Sequence, residues 1–154
     1  MKEENKKAKN QDKFKEMTKC NLIIKLIYDP ANSGKSKEEI QQEDRKSIKK
    51  LLEDINKAEI EPLYITRVGK LPTPMNRSPR PIKIVLKNEK EKKDILESVK
   101  LLKNMNTRIC VTEDLTWEER LIMKEWFRKA SERNEKEDDD YVKWCVRGSP
   151  RTKL

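Results

Sequence analysis

The chain has 154 residues, of which 34% are hydrophobic and 42% charged, with a formal net charge of +9. That is enough for one domain, or one domain with a small appendage, around a small core. No run of about 18 apolar residues exists to span a bilayer, and the basic balance favours acidic partners, nucleic acid before membrane.

In chain order, Met1–Lys19 holds seven lysines and four acids, with Phe14 and Met17 as its large apolar residues beyond the start. It reads as a solvated basic tail, or as the last turns of a coiled coil whose body lies upstream. Cys20–Tyr28 predicts a strand, with Leu22, Ile24 and Leu26 on one face and Ile23, Lys25 and Ile27 on the other. Asp29–Gly34 breaks it. Ser36 and Glu39 form a capping-box pattern that opens a helix to about Lys57, striped by Ile40, Ile48, Leu51, Leu52 and Ile55 with a gap at Asp44.

Pro62–Val68 predicts a second strand, ended by Gly69, and Pro81–Lys87 a third with Ile82, Ile84 and Leu86 inward. Asn88 and Glu91 predict a cap for a helix to about Lys103, striped by Ile95, Leu96, Val99 and Leu102. Thr107–Thr112 is a short fourth strand. The fold class is therefore α+β, with the order βαββαβ of a ferredoxin-like domain over residues 20–113. Residues 114–154 form a small C-terminal helix-and-hairpin unit. Its helix starts at Thr116 and Glu119, with Leu121, Ile122, Met123 and Trp126 supplying core contacts. Its strand is Tyr141–Arg147, and Leu154 falls partway into the returning strand, so the end reads as truncated or closed by a very short hairpin.

The sequence offers little for catalysis. Histidine is absent and no CxxC pair occurs, which removes the commonest general base and the usual zinc ligands. Cys20, Cys110 and Cys145 do not form a disulfide framework and fit a reducing compartment, the cytoplasm or also the nucleus. The start lacks the apolar core of a secretory signal. Gly34-Lys35-Ser36 opens a helix as a phosphate-binding loop does, but the full pattern needs glycine where Asp29 stands. No enzyme, cofactor or metal is expected.

The basic surface is the stronger signal. Residues 67–87 hold six Arg or Lys and no acid, and four of the seven prolines. From this stretch Arg67, Lys70, Arg77 and Arg80 are expected to engage phosphates from a stiffened loop, and Lys83 and Lys87 from the sheet. Tyr64 and Arg108 join them from neighbouring strands. Arg120, Lys124 and Arg128 repeat at four-residue spacing on the third helix and form a second basic line. The aromatics of the last third, Trp117, Trp126, Phe127, Tyr141 and Trp144, read as core of the C-terminal unit. With only Tyr64 on the sheet, base stacking there is weak, and grip on the backbone should dominate. The other class open to such a surface is a protein-interaction module that docks an acidic partner or oligomerises through the N-terminal helix.

The order NLIIKLI, Arg67-Val68-Gly69-Lys70, Arg77-Ser78-Pro79-Arg80-Pro81-Ile82-Lys83-Ile84-Val85-Leu86, Glu113-Asp114-Leu115-Thr116, Lys124-Glu125-Trp126 and Val142–Gly148 resembles one family. It is similar to the first open-reading-frame proteins of LINE-type non-LTR retrotransposons, over roughly residues 20–150. The resemblance implies a noncanonical RNA-recognition-type domain followed by a small C-terminal domain. Together these would clamp single-stranded RNA or DNA in a basic cleft and act as a nucleic-acid chaperone. Arg80, Lys83 and Lys124 match positions of basic contacts, and an upstream coiled coil would make a homo-oligomer.

Overall fold

A computed structural model describes residues 2–151. Within them the chain forms two units, one made of Met17–Asp114 and the other of the segments on either side of it.

The larger unit is mixed α+β. Its elements are β1 (Asn21–Lys25), α2 (Lys37–Asp54), β2 (Tyr64–Arg67), β3 (Ile82–Val85), α3 (Glu89–Ser98) and β4 (Cys110–Glu113), with a helix α1 (Lys2–Thr18) upstream. The four strands make one antiparallel sheet in the order β2-β3-β1-β4. Alternation explains the pairing: Leu22 and Ile24 of β1 lie opposite Ile84 and Ile82 of β3, and all four are buried. They meet Ile48, Leu51, Leu52 and Ile55 of α2 and its C-cap, and Ile95 of α3, in a single core. One face of the sheet is thus covered by helices.

The first strand is shorter than its apolar run. It ends at Lys25 because Leu26 adopts a left-handed backbone, with φ of 66°. That kink reverses the alternation, so Leu26 is exposed and Ile27 is buried, the opposite of the expected faces. The two helices start where their caps say they should. The Ser36 hydroxyl accepts from the Glu39 N–H at 3.2 Å, and the Glu39 carboxylate accepts from the Ser36 N–H at 2.8 Å. Asn88 accepts from the Glu91 N–H, but Glu91 reaches one residue further back, to the Lys87 N–H. Replacing Ser36, an exposed residue, with alanine should lower unfolding free energy by about 1 kcal/mol in a denaturant titration.

The second helix of the larger unit is also shorter than expected. α3 ends at Ser98 and passes into 3-10 turns over Val99–Met105, which still bury Leu102. Lys92 of α3 and Glu113 of β4 pair at 3.2 Å and tie helix to sheet edge.

In the smaller unit, α4 (Trp117–Lys136) begins with a complete capping box between Thr116 and Glu119. The expected hairpin is absent among the described residues: Tyr141–Arg147 is irregular. The physical reason is local, since the Asn134 side chain takes both backbone groups of Trp144, accepting from its N–H at 2.6 Å and donating to its carbonyl at 2.9 Å. An asparagine stands where a partner strand would. Residues 152–154 of the expected returning strand lie outside the described residues. The expected core of α4 is likewise corrected, because Leu121 and Ile122 are exposed and only Met123 and Trp126 are half-buried.

Candidate nucleic-acid interface

The basic stretch folds as the connection between β2 and β3. Its base is closed by the Val68 N–H donating to the Pro81 carbonyl at 2.9 Å, and Gly69 leaves β2 with a φ of 102° that few other residues adopt easily. A tight turn at Thr73–Asn76 and four prolines limit its freedom.

Two of its arginines are consumed in holding it there. Arg67, side chain 4% exposed, is bound to Asp44, side chain 6% exposed, through Nε at 3.1 Å and Nη2 at 2.7 Å. Its remaining N–H groups donate to the carbonyls of Ile27, Tyr28 and Arg80 at 3.1, 2.6 and 2.7 Å. All five guanidinium donors are therefore satisfied inside the protein. Asp44 fills the gap in the α2 stripe, so the residue that looked like an interruption is the helix's anchor for β2 and the loop. The expectation that Arg67 engages phosphate is corrected accordingly: with the fold intact it has no donor to offer.

Arg80 is similarly committed. Its Nε and Nη2 donate to the two Asp29 oxygens at 2.7 and 3.2 Å, and its backbone N–H adds a third bond at 3.3 Å. Asn32 reaches the Pro72 carbonyl at 3.4 Å, so the loop is tied at two points to the turn that follows β1. Burial pushes the Asp29 carboxyl up. The Arg80 side chain, the backbone N–H groups of Ala31 and Arg80, and the charge of Arg67 outweigh it and hold the carboxyl below its ordinary value of 3.8. The stabilisation from this carboxylate is fully present above pH 3.8 and is lost as pH falls through the lower folded value. Asp29→Asn should therefore be less stable at neutral pH, and its stability should fall less steeply in that acid window in unfolding curves taken from pH 6 to about 2.

What remains after these pairs is Lys70, Arg77, Lys83 and Lys87. Among the described residues none of the four is in an ion pair. Lys70 and Arg77 are exposed on the loop, and Lys87 is exposed just past β3. Lys83 is half-buried on the sheet face away from the helices. There the cross-strand register sets Thr66, Lys83, Ile23 and Thr112 in one row, with Tyr64, Val85 and Asn21 in the next. Tyr64, 71% exposed, stands on the edge strand β2. Arg108 is exposed just before β4.

Two residues absent from the expected set belong to this surface. Lys25 is exposed at the end of β1, in register with Cys110. Tyr28 is exposed and, with Asn32, Pro72, Pro74, Arg77 and Pro79, lines a cleft of about 590 Å³ between turn and loop. A lone lysine closing an aliphatic strand was the available signal for the first. The second depends on the loop folding back over 40 residues of chain, as the Asn32 to Pro72 bond shows. Lys35, the lysine of the phosphate-loop-like tripeptide, pairs with Glu43.

In the smaller unit the basic line on α4 is uneven. Arg128 is clamped by Glu125 and Glu132, three residues before and four after it, which raise its pKa and cancel its charge locally. Lys124 is exposed and Arg120 is exposed beside it. The expected row of three cations thus offers a weaker field than its spacing implied.

Comparison with protein families finds no family model that matches the chain, and comparison with curated proteins finds no match either. No helix among the described residues is long and apolar enough to cross a membrane.

Proposed function

We propose that the chain is a low-specificity single-stranded nucleic-acid-binding protein, for RNA before DNA, that grips the phosphate backbone. In this reading the larger unit is a ferredoxin-like, noncanonical RNA-recognition-type domain. The protein would serve as the nucleic-acid chaperone of a ribonucleoprotein, as the resemblance to retrotransposon first open-reading-frame proteins implies. It is a binding protein and not an enzyme.

The observation that supports this most is the separation of roles within one stretch. Arg67 and Arg80 fix the loop, each against its own carboxylate, while Lys70, Arg77, Lys83 and Lys87 are in no ion pair among the described residues. Cations on a loop whose backbone is already held, and on the adjoining strand, suit a polyanion, because binding then has to order side chains but not the loop itself. Few aromatics on the sheet favour contact with phosphates over reading of bases.

Anisotropy titration of a labelled single-stranded oligonucleotide should show binding that weakens steeply between about 50 and 200 mM salt. Poly-glutamate should compete poorly, and a native mass measurement of the same sample gives the stoichiometry. Tight poly-glutamate binding with none to the oligonucleotide would overturn the proposal in favour of an acidic protein partner.

A further inference from the structure

The smaller unit holds a cleft that the phosphate-gripping surface does not use. One wall is the second half of α4, where Trp126, Lys129, Ala130 and Arg133 fall at i, i+3, i+4 and i+7 and so share a face. The other wall is the segment from Trp144 to Pro150. The cleft measures about 460 Å³, within the roughly 300–1,000 Å³ of sites for small planar ligands.

Three features give it a chemistry. Trp144 is fixed by its backbone bonds to Asn134 and by its indole N–H, which donates to Glu137 at 3.3 Å. It is still 46% exposed. The Arg133 guanidinium lies over the Trp144 ring, 4.8 Å from its centroid, so a cation already stacks on an indole at the cleft wall. The lining includes three cations, Lys129, Arg133 and Arg147, and no carboxylate. The expectation that these aromatics form a core is corrected: Trp117, Phe127 and Tyr141 are exposed, and Trp144 stays partly open and beside positive charge.

We propose that this cleft takes an unpaired nucleobase against the exposed part of the Trp144 indole and beside Trp126, with Arg133 keeping its place over the Trp144 ring, while Lys129 and Arg147 take the flanking phosphates. Charge complementarity selects this occupant: an apolar helix has no use for three cations, and an acidic peptide has no use for two indoles. The inference rests on the nucleic-acid reading above and deepens it, since it adds a contact that needs the base to one that needs only the backbone. Stacking is tolerant of sequence, because every base has a π-face.

The test compares a single-stranded oligonucleotide with an abasic strand of the same length, which keeps the phosphates and lacks the bases. For the full chain, the base-bearing strand should bind about tenfold more tightly or better, and should quench tryptophan emission. Trp144→Ala should remove that advantage, so that the base-bearing and abasic strands bind alike. Trp144→Phe should retain most of the advantage. Arg147→Ala, at an exposed residue, should weaken both strands, and an unfolding curve of Trp144→Ala shows that the tryptophan variant is folded. Equal affinity of the native chain for base-bearing and abasic strands would overturn the inference while leaving the backbone grip intact. Failure to bind either strand would overturn both, and tighter binding of an acidic peptide that Trp144→Ala abolishes would reassign the cleft.

Discussion

Arg67→Ala should lower the unfolding free energy by about 3–5 kcal/mol, the cost of leaving one partner of a buried ion pair alone. Few single substitutions in a domain of this size should cost as much. The side chains of Arg67 and Asp44 are almost completely buried, and the change would strip donors from Asp44 and from three backbone carbonyls at once. Those carbonyls belong to the segment after β1 and to the end of the loop, and Asp44 to α2, so the loss would reach three segments. Asp44→Ala should be comparably damaging, because it buries an uncompensated guanidinium. Replacing both residues by apolar ones of similar volume, Asp44→Leu with Arg67→Met, should recover part of the loss. Equilibrium denaturation of the three variants checks this, and a change below about 1 kcal/mol for Arg67→Ala would mean that the pair is not a structural anchor.

The second large effect is on binding. Replacing Lys70, Arg77, Lys83 and Lys87 together with alanine should reduce affinity for single strands at low salt by about three orders of magnitude, by loss of counterion release from four phosphates. The loss should be similar for every sequence, as contacts to phosphates carry no base information. The total loss of stability should stay below that of Arg67→Ala, since none of the four is in an ion pair and substitutions outside such features usually cost no more than about 0.5 kcal/mol each. The two experiments therefore divide a single basic stretch: Arg67 answers to denaturant, Lys70, Arg77, Lys83 and Lys87 to the ligand.

That division was not legible in the sequence, where all six cations look alike. The strands and caps were legible because their causes are local. Alternation over Leu22–Ile24 and Ile82–Leu86, and the Ser36 and Thr116 capping boxes, each need only a few neighbouring residues. Arg67 and Asp44 are 23 residues apart, and nothing short-range announces that one will bury itself against the other. The gap at Asp44 in an apolar stripe was the visible trace, since a lone acid on a helix face turned to the core needs a partner. The Leu26 kink is set by where the chain must turn to reach α2, which no propensity records. Tyr141–Arg147 has a strand's composition, but pairing takes two strands, and here Asn134 meets the backbone of Trp144 instead. The neutralised Arg128 was the readable exception. Glutamates at three and four residues from an arginine on a helix are neighbours by geometry alone.

The loop itself shows how sequence becomes function in this reading. Prolines and two buried ion pairs remove its conformational freedom before any ligand arrives, so binding does not have to order it. The charges left over are those that cannot be satisfied internally.

The most direct measurement is the slope of log affinity against log salt for a single-stranded oligonucleotide, taken for the native chain and for the fourfold alanine variant. If the loop and β3 cations grip phosphates, the native slope is steep and the variant's is shallower by about 3 units, near 0.7 per contact removed. Equal slopes, with both proteins folded, would contradict it.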